Sequence, residues 1–296
     1  MAPGGMSRST ATLLGFGAIL LWALLALLTA RTAPVPPFQL NAVCFAIGGA
    51  LGLVWTLATG ALPRLARVPP AAHLFGTAGL FGYHALYFAA LRRAAPHHAE
   101  AETGLIAYLW PLLIVLLSGL LPGERLRAGH VAGAALAALG AALILARGGT
   151  GGGVGALPAY ALGLLCALTW AVYSVGSRRF GAVPTAAVTV SCLASAALSL
   201  LLHLALEETR WPDAPGGWAA LLALGAGPVG AAFFLWDAGM KRGDIQLLGT
   251  LSYAAPLLST LVLVGAGIAA ASGTLAAAAG LIAGGAALAA RAGRRS

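Results

Sequence analysis

ATLLGFGAILLWALLALLTA spans residues 11–30, and PAYALGLLCALTWAVYSVGS spans residues 158–177. Each stretch is almost wholly apolar and reaches the roughly 20 residues that an α-helix needs to cross the hydrocarbon of a bilayer. In each stretch a glycine is followed seven residues later by a tryptophan. Long apolar runs that share such a pattern predict a membrane protein built from a duplicated helical unit.

The composition of the chain agrees with a membrane protein. Of 296 residues, 60% are hydrophobic and 8% are charged, with a mean hydropathy of +0.90, whereas a soluble domain carries about 25% charged residues. An ordinary water-soluble enzyme, a disordered protein and a nucleic-acid-binding module are excluded, because the basic residues behind the net charge of +9 lie between apolar runs. Cys44, Cys166 and Cys192 lie inside such runs and are interpreted as small buried hydrophobes, not as a disulfide framework or metal ligands.

Ten apolar runs are long enough to be spanning helices, so we predict an all-α membrane protein with ten transmembrane helices. The runs cover residues 11–30, 38–59, 71–91, 99–121, 128–147, 158–177, 183–206, 217–240, 244–268 and 272–291. Apolar and polar residues do not alternate with a period of two, which excludes an outer-membrane barrel. The first run is interpreted as a helix of the mature protein and not as a signal peptide. Whether Met1 or Met6 is the natural start stays open.

Lys and Arg residues between the runs predict the orientation, because cytoplasmic loops carry an excess of them. Twelve lie on one side: Arg8, Arg64, Arg67, Arg125, Arg127, Arg178, Arg179, Lys241, Arg242, Arg291, Arg294 and Arg295. Five lie on the other side: Arg31, Arg92, Arg93, Arg147 and Arg210. We therefore expect both termini in the cytoplasm and the chain in a bacterial inner membrane. The longest polar loop, residues 207–217, is too short to hold a soluble catalytic domain.

Matching residues recur in the same order along the two halves of the chain. The matches pair Gly15 and Trp22 with Gly163 and Trp170, Arg31 and Pro36 with Arg179 and Pro184, Arg92–Arg93 with Lys241–Arg242, Gly104, Tyr108 and Pro111 with Gly249, Tyr253 and Pro256, and Gly140–Leu143 with Gly285–Leu288. The offset falls from 148 to 145 residues, which indicates a small deletion in the second half. We predict two repeats, at residues 11–147 and 158–291, joined by a glycine-rich linker at residues 148–157.

Each predicted repeat contains five helices, which is an odd number, so the second repeat must enter the membrane upside down. Inverted repeats suit alternating access, because two similar halves can exchange roles about a site at the membrane midplane.

These signatures resemble those of the drug/metabolite transporter superfamily, in its EamA-type branch. The signatures are the Gly-x6-Trp helix that opens each half, the Gly-x3-Tyr-x2-Pro helix of each half, and the Pro-Gly-Glu-Arg-Leu turn at Pro122–Leu126. The resemblance covers about residues 11–290. Tyr83-His84-Ala-Leu-Tyr87 and Tyr108-Leu-Trp110-Pro111 are most similar to the aromatic amino acid exporters of that branch.

The resemblance implies a secondary transporter that exports amino acids and similar small metabolites, aromatic ones included. Its partners would be a small amino acid substrate and membrane lipids but no nucleic acid, and we expect a monomer. The family's glutamate after the fourth helix of each repeat is present as Glu124, but Gly265–Thr274 in the second half holds no acid. A symmetric role for this glutamate is therefore not expected.

Aromatic side chains on repeat-related helices are the candidate substrate-binding residues. The candidates are Trp22, Tyr83, His84, Tyr87, Tyr108, Trp110, Trp170 and Tyr173, with Phe233, Trp236 and Tyr253 on related helices. Several lie too deep to be interfacial anchors. Their rings would form a cage for an apolar or aromatic side chain, with Tyr hydroxyl and Trp N–H groups as polar contacts. The alternative is ordinary helix–helix packing.

His84 is the most informative of these residues, because an ionisable group in hydrocarbon is costly and usually faces a cavity or a partner. It would bind a substrate carboxylate or carry a proton, or else it is a neutral packing histidine. Asp237 lies four residues before Lys241, a spacing that predicts an ion pair along one helix face.

Pro111 and Pro256 occupy matching positions in the two halves and each predicts a kink, because proline removes a backbone hydrogen bond. Kinked helices at matching positions often mark the binding site of a transporter. Gly148–Gly153 lacks the Gly-Lys-Ser/Thr of a phosphate loop and is interpreted as a linker.

No metal, cofactor or catalytic residue is predicted. His97, His98, Glu100 and Glu102 have a spacing typical of metal ligands, but they start a helix, where acidic residues complement the helix dipole. Two other functions stay open: a broad-specificity drug or organic-cation exporter of the same superfamily, and an intramembrane enzyme acting on lipids. A channel is disfavoured, because the sequence shows no polar pore stripe.

Overall fold

The computed structural model describes residues 6–145, 154–267 and 272–294, and within these ranges the chain is helical, without a β-strand. The α-helices are α1 (Arg8–Trp22), α2 (Leu25–Arg31), α3 (Pro37–Ala58), α4 (Leu62–Leu65), α5 (Pro70–Ala94), α6 (Glu100–Ala107), α7 (Trp110–Ser118), α8 (Ala128–Leu145), α9 (Leu157–Gly176), α10 (Val188–Leu206), α11 (Pro215–Ala226), α12 (Ala232–Arg242), α13 (Ile245–Leu251), α14 (Ala254–Gly265) and α15 (Gly273–Arg294). Pro37, Pro70 and Pro215 each open a helix, where the missing N–H is not needed.

Eight helical segments in the described residues are long and apolar enough to cross a membrane. They are Arg8–Arg31, Pro37–Ala58, Pro70–His97, Val154–Phe180, Thr185–Leu206, Pro215–Arg242, Ile245–Val262 and Gly273–Ala292. Two further apolar helices, Glu102–Ser118 and Ala128–Leu143, are shorter. Three features named in the sequence analysis fall wholly or partly outside the described residues. They are the glycine run Gly148–Gly153 predicted as a linker, the alternative start at Met1, and part of Gly265–Thr274.

Two of the predicted runs break next to a proline. The segment that contains Pro111 is interrupted at Tyr108–Leu109, and the segment that contains Pro256 is interrupted at Ser252–Tyr253. In both cases the proline falls within the first three residues of the helix that follows the break. The breaks therefore lie two to four residues before the prolines, because a proline leaves the carbonyl four residues earlier without its usual N–H partner.

Two more runs are interrupted where the sequence analysis expected continuous helices. A π-helical turn, Gly227–Ala231, separates α11 from α12, and it contains Pro228. The first run is interrupted at Ala23–Leu24, directly after Trp22, although neither residue disfavours a helix by itself.

Helices that the predicted repeat places at equivalent positions pack against each other in antiparallel pairs. In the α3–α10 pair, the Asn41 side chain donates to the Ser199 hydroxyl over 2.8 Å. Eight residues further along α3, Gly49 lies against Leu193, which is earlier in α10. The contacts run in opposite directions along the two helices, so α3 and α10 are antiparallel.

The α8–α15 pair shows the same relation through its small residues. A Cβ built on Gly133 would lie 2.5 Å from the carbonyl oxygen of Gly285, and one built on Gly140 would lie 2.9 Å from the carbonyl oxygen of Ala278. The repeat maps Gly133 and Gly140 onto Ala278 and Gly285, so each contact maps onto the other. Backbones that approach this closely gain extensive van der Waals contact. Such contact holds helices together in lipid, because lipid tails are as apolar as the side chains and the hydrophobic effect does not drive helix association there.

The remaining major contacts cross between the halves. α1 packs against α12, where a Cβ on Gly15 would lie 3.2 Å from the Gly239 Cα, and α5 packs against α9. The repeat relates α1 to α9 and α5 to α12, so these two pairs are also equivalent. The central helices thus come from both halves, and their meeting point holds the aromatic residues.

Candidate substrate-binding site

An aromatic cluster fills the centre of the bundle, and Trp22 is its middle member. The ring centre of Trp22 lies 6.2 Å from Trp110, 5.9 Å from Trp170, 6.2 Å from Phe233 and 5.1 Å from Trp236. Most of these contacts are edge-on or tilted, the geometries that aromatic rings prefer. Four helices, from both halves of the chain, therefore meet through ring contacts at one point.

The break after α1 positions Trp22. Trp22 is the last residue of α1, and its indole N–H donates to the Pro228 carbonyl oxygen over 3.0 Å. Pro228 belongs to the π-helical turn Gly227–Ala231. Two helix irregularities thus face each other, and the side chain from one satisfies a carbonyl group of the other.

The α5 residues extend the cluster. The rings of Tyr83 and Tyr87 are nearly parallel, at 7° with centres 6.2 Å apart, and Tyr83 lies 5.2 Å from Trp170. His84 contacts Phe45 at 5.1 Å and Tyr83 at 5.2 Å. The structure therefore brings the aromatic residues of α5 together with the tryptophans, as the sequence analysis expected.

Phe45 is a member of this site that sequence reasoning missed. It is fully buried on α3 and stacks on Phe233 at an angle of 10° with a centre distance of 5.5 Å. A single phenylalanine in an apolar run carries no sequence signal that separates it from the other apolar residues of α3.

The helix breaks before Pro111 and Pro256, named here the crossed breaks, contact each other. Tyr108 lies at one break and Tyr253 at the other, and their ring centres are 6.1 Å apart. The Tyr108 hydroxyl donates to the Ser252 carbonyl oxygen over 3.0 Å, and the Tyr253 hydroxyl accepts from the Leu112 backbone N–H over 3.1 Å. Ser252 is four residues before Pro256, so its carbonyl is the group that the proline leaves without a helical partner. At each break, a backbone group is thus hydrogen-bonded to a tyrosine side chain from the equivalent segment of the other half.

Tyr173 lies at the edge of the cluster. Its side chain is buried, 5.2 Å from the ring of Trp170 and 5.9 Å from that of Phe75. It also borders a small apolar groove of about 280 Å³ between α5 and α9.

The cluster separates an accessible half of the bundle from a closed half. Trp22, Tyr83, His84, Tyr87 and Tyr108 are partly exposed although they lie at the centre. Towards the end of the bundle where α1 begins, named here the Arg8 end, the side chains below the cluster are fully enclosed: Ile19, Ile114, Val115, Met240 and Leu248. The space around the five partly exposed side chains, named here the central cavity, is therefore closed towards the Arg8 end. The opposite end of the bundle, where α2 finishes at Arg31, is named the Arg31 end.

One acid, Asp237, directly follows a member of the aromatic cluster, Trp236. Asp237 pairs with Lys241 over 2.8 Å, and both side chains are 5% exposed. This confirms the ion pair predicted from their spacing. Across residues 6–145, 154–267 and 272–294, no three His, Cys, Asp or Glu side chains are grouped so that they could hold a metal ion.

An ionic network closes the Arg8 end. The Arg178 guanidinium contacts the Glu124 carboxylate at 2.8 Å and donates to the carbonyl oxygens of Met240, over 2.7 Å, and Gly243. The Gln246 side chain also donates to Glu124, over 3.2 Å. Glu124 follows α7 in the first half, whereas Arg178 and Gln246 come from the second half, so the network ties the two halves together.

Arg8 and Asp244 complete the ionic network. Arg8 lies 3.8 Å from Glu124 and 3.4 Å from Asp244, and Asp244 caps α13 by accepting the Leu247 backbone N–H. The sequence analysis singled out Glu124 from the family pattern but did not connect it to Arg178, because the pairing spans 54 residues.

A second pocket, of about 520 Å³, lies at the Arg31 end. It is lined by Pro34, Pro36, Pro37, Phe38, Phe88, Leu91, Arg92, Leu206, Glu207, Glu208 and Arg210. Phe88 forms part of its wall and also lies 6.4 Å from His84, so this pocket borders the central cavity.

Comparison with known proteins identifies a family and similar relatives. The model of the EamA-like transporter family matches residues 9–146 and again residues 157–291. A protein of Ancylobacter novellus named aromatic amino acid exporter YddG is 56% identical over 275 residues, which cover 92% of this chain and 93% of that protein. The protein of the same name in Escherichia coli strain K12 is 28% identical over 267 residues, covering 86% of this chain and 88% of the relative.

A solved crystal structure with 55% sequence identity superposes with a TM-score of 0.91, covering 98% of this chain and all of the other. The family model matches most of the chain, so the chain belongs to the EamA-like transporter family.

Proposed function

We propose that this member of the EamA-like transporter family is a secondary transporter that exports amino acids, aromatic ones included, across the bacterial inner membrane by alternating access. The observation that carries the proposal is the aromatic cluster where the two halves meet, in a chain 56% identical to a protein named as an aromatic amino acid exporter. The protein is a transporter and not an enzyme.

The proposed architecture has ten spans in two inverted repeats, at residues 11–147 and 158–291, joined by a linker at residues 148–157. Eight long apolar helices and two shorter ones support the number of spans. The antiparallel packing of α3 with α10 and of α8 with α15 supports the inversion, because equivalent helices of inverted repeats must run in opposite directions.

The substrate would occupy the central cavity, in contact with Trp22, Tyr83, His84, Tyr87, Tyr108, Trp110, Trp170 and Tyr173. A cage of mostly aromatic residues favours an apolar or aromatic side chain through ring contacts. Five of the eight side chains are partly exposed at the centre of the bundle, which supports their access to a ligand.

Transport would alternate between this arrangement and one that opens at the Arg8 end. The crossed breaks before Pro111 and Pro256 would act as hinges, since a broken helix can bend without losing further backbone hydrogen bonds. The ionic network at the Arg8 end would hold that side closed and would have to separate when it opens.

The Arg8 end would be cytoplasmic, with both termini there, and the functional unit would be a monomer. The twelve-to-five distribution of Lys and Arg residues supports this orientation. We disfavour an organic-cation exporter, because the relatives that match this chain are named aromatic amino acid exporters.

Counterflow in proteoliposomes tests the proposal. We expect saturable flux of phenylalanine, and excess of a second amino acid should suppress it. A nucleotide sugar and an organic cation should give no flux. Transport of the cation without any amino acid flux would refute amino acid export.

A further inference from the structure

Four tryptophans meet in the aromatic cluster, but only two of them use their indole N–H within the protein. Trp22 donates to a carbonyl of the π-helical turn and Trp236 to a serine hydroxyl of α9, each over 3.0 Å. For Trp110 and Trp170, no group in the described residues accepts the indole hydrogen, and neither nitrogen is fully enclosed. Two N–H donors thus remain available at the centre of the bundle.

His84 offers a hydrogen-bond acceptor instead of a donor. Its Nδ1 lies 2.7 Å from the Leu80 carbonyl oxygen. A carbonyl oxygen only accepts, so the hydrogen is on Nδ1, and in the neutral imidazole Nε2 is then an acceptor. No group in the described residues donates to Nε2, and this nitrogen is not fully enclosed either.

The rings that carry these groups lie around Tyr83. Tyr83 contacts His84 at 5.2 Å and Trp170 at 5.2 Å, and Trp170 contacts Trp110 at 6.3 Å. A small molecule in contact with Tyr83 would therefore lie beside the ring that carries the acceptor and beside the ring of one donor, with the second donor ring next to the first.

We propose that the cavity binds an amino acid in one fixed orientation, with its carboxylate on the indole N–H groups of Trp110 and Trp170 and its ammonium on Nε2 of His84. A carboxylate only accepts hydrogen bonds and an ammonium only donates them, so each end of the zwitterion matches one side of the site. This orientation rests on the proposed function. It assigns His84 to the ammonium, and not to the carboxylate considered in the sequence analysis, because Leu80 takes the imidazole hydrogen.

Each proposed hydrogen bond would join a neutral protein group to an ionised end of the substrate. Bonds to an ionised partner are about twice as strong as neutral ones, and a site of low polarity increases their electrostatic energy. Both ends of the substrate would thus be held by neutral groups, and the aromatic rings would be left to select its side chain.

Two truncated analogues test the orientation in proteoliposomes. Phenethylamine lacks the carboxylate of phenylalanine, and 3-phenylpropionate lacks its ammonium. We would measure inhibition of phenylalanine uptake by unlabelled phenylalanine and by each analogue. W110F and W170F should weaken phenylalanine binding by about tenfold and leave phenethylamine binding unchanged. H84F should weaken phenylalanine binding similarly and leave 3-phenylpropionate binding unchanged.

W236F is the matched control, because it removes a tryptophan N–H from the same cluster that is already used within the protein. It should leave the ratio of phenylalanine to phenethylamine binding unchanged. If a phenylalanine variant misfolds, β-(3-benzothienyl)alanine at position 170 removes the N–H while keeping the ring shape.

Equal weakening of phenylalanine and phenethylamine by W110F and W170F would overturn the carboxylate assignment. Selective loss of 3-phenylpropionate binding in H84F would reverse the orientation. Absence of saturable phenylalanine uptake by the unmodified protein would instead refute the proposed function on which this inference rests.

Discussion

Glu124→Gln should shift the transporter towards opening at the Arg8 end. Glu124 faces Arg178 at 2.8 Å, and the two side chains are only 13% and 21% exposed. A hydrogen bond to a charged group contributes about 1.5–3 kcal/mol. Glutamine keeps an acceptor but loses the charge, so we take the lower value, about 1.5 kcal/mol. In the proposed alternating-access cycle the ionic network separates when this end opens, so the ratio of open to closed molecules should rise about tenfold.

Cysteine accessibility measures this shift. Ser118 ends α7 and is fully buried at the Arg8 end, so a cysteine there should react only when the halves separate. In a background with Cys44, Cys166 and Cys192 replaced by alanine, Ser118→Cys is exposed to a membrane-impermeant maleimide from the face that we propose to be cytoplasmic. We expect labelling about tenfold faster in the Glu124→Gln variant.

Glu208→Gln is the control, because Glu208 pairs with Arg210 at 2.9 Å but its side chain is 83% exposed. Exposed pairs contribute little, and this one lies at the other end of the bundle, so labelling should not change. A Glu124→Gln variant that folds and transports but labels within twofold of its parent would refute the role of the ionic network in closure.

Three further substitutions test the site and the packing. Tyr83→Ala should raise the KM for phenylalanine in proteoliposome uptake without changing the yield of folded protein; unchanged kinetics would remove Tyr83 from the site. Tyr108→Phe loses the bond to the Ser252 carbonyl, worth about 1 kcal/mol, and should lower Tm in detergent by a few degrees; an unaltered Tm would show that the crossed breaks do not need it. Gly133→Val places a Cβ 2.5 Å from a carbonyl oxygen of α15 and should destabilise the fold strongly, whereas Gly280→Val, with nothing within 4 Å, should not; equal losses of Tm would argue against close packing of α8 on α15.

Much of the candidate site was foreseeable from the sequence, because the repeat points to it. Trp22 and Trp170 occupy equivalent positions in the two halves, and their rings meet at 5.9 Å. Pro111 and Pro256 predicted kinks, and both helices are indeed broken just before them. The spacing of Asp237 and Lys241 predicted their ion pair. These features depend on the local geometry of one helix or on a repeat visible in the sequence.

Other features depend on contacts between distant segments and left no local signal. The break at Ala23–Leu24 contains no residue that disfavours a helix, and it occurs where Trp22 reaches the carbonyl of Pro228. Phe45 resembles its apolar neighbours in α3, yet it stacks on Phe233. Sequence propensity cannot predict these features, because tertiary contacts override it.

The sequence by itself determined that this protein is helical, belongs in a membrane and is built from two similar halves. Hydropathy and repetition are properties of the chain alone, and lipid permits few structures that satisfy every backbone polar group. Only the tertiary structure decided that Trp22 and Trp236 donate their indole N–H groups within the protein, and that the bundle is closed at the Arg8 end. The reason is that hydrogen-bond partners and closure depend on side chains from both halves meeting in space, and the chain order does not specify those distances.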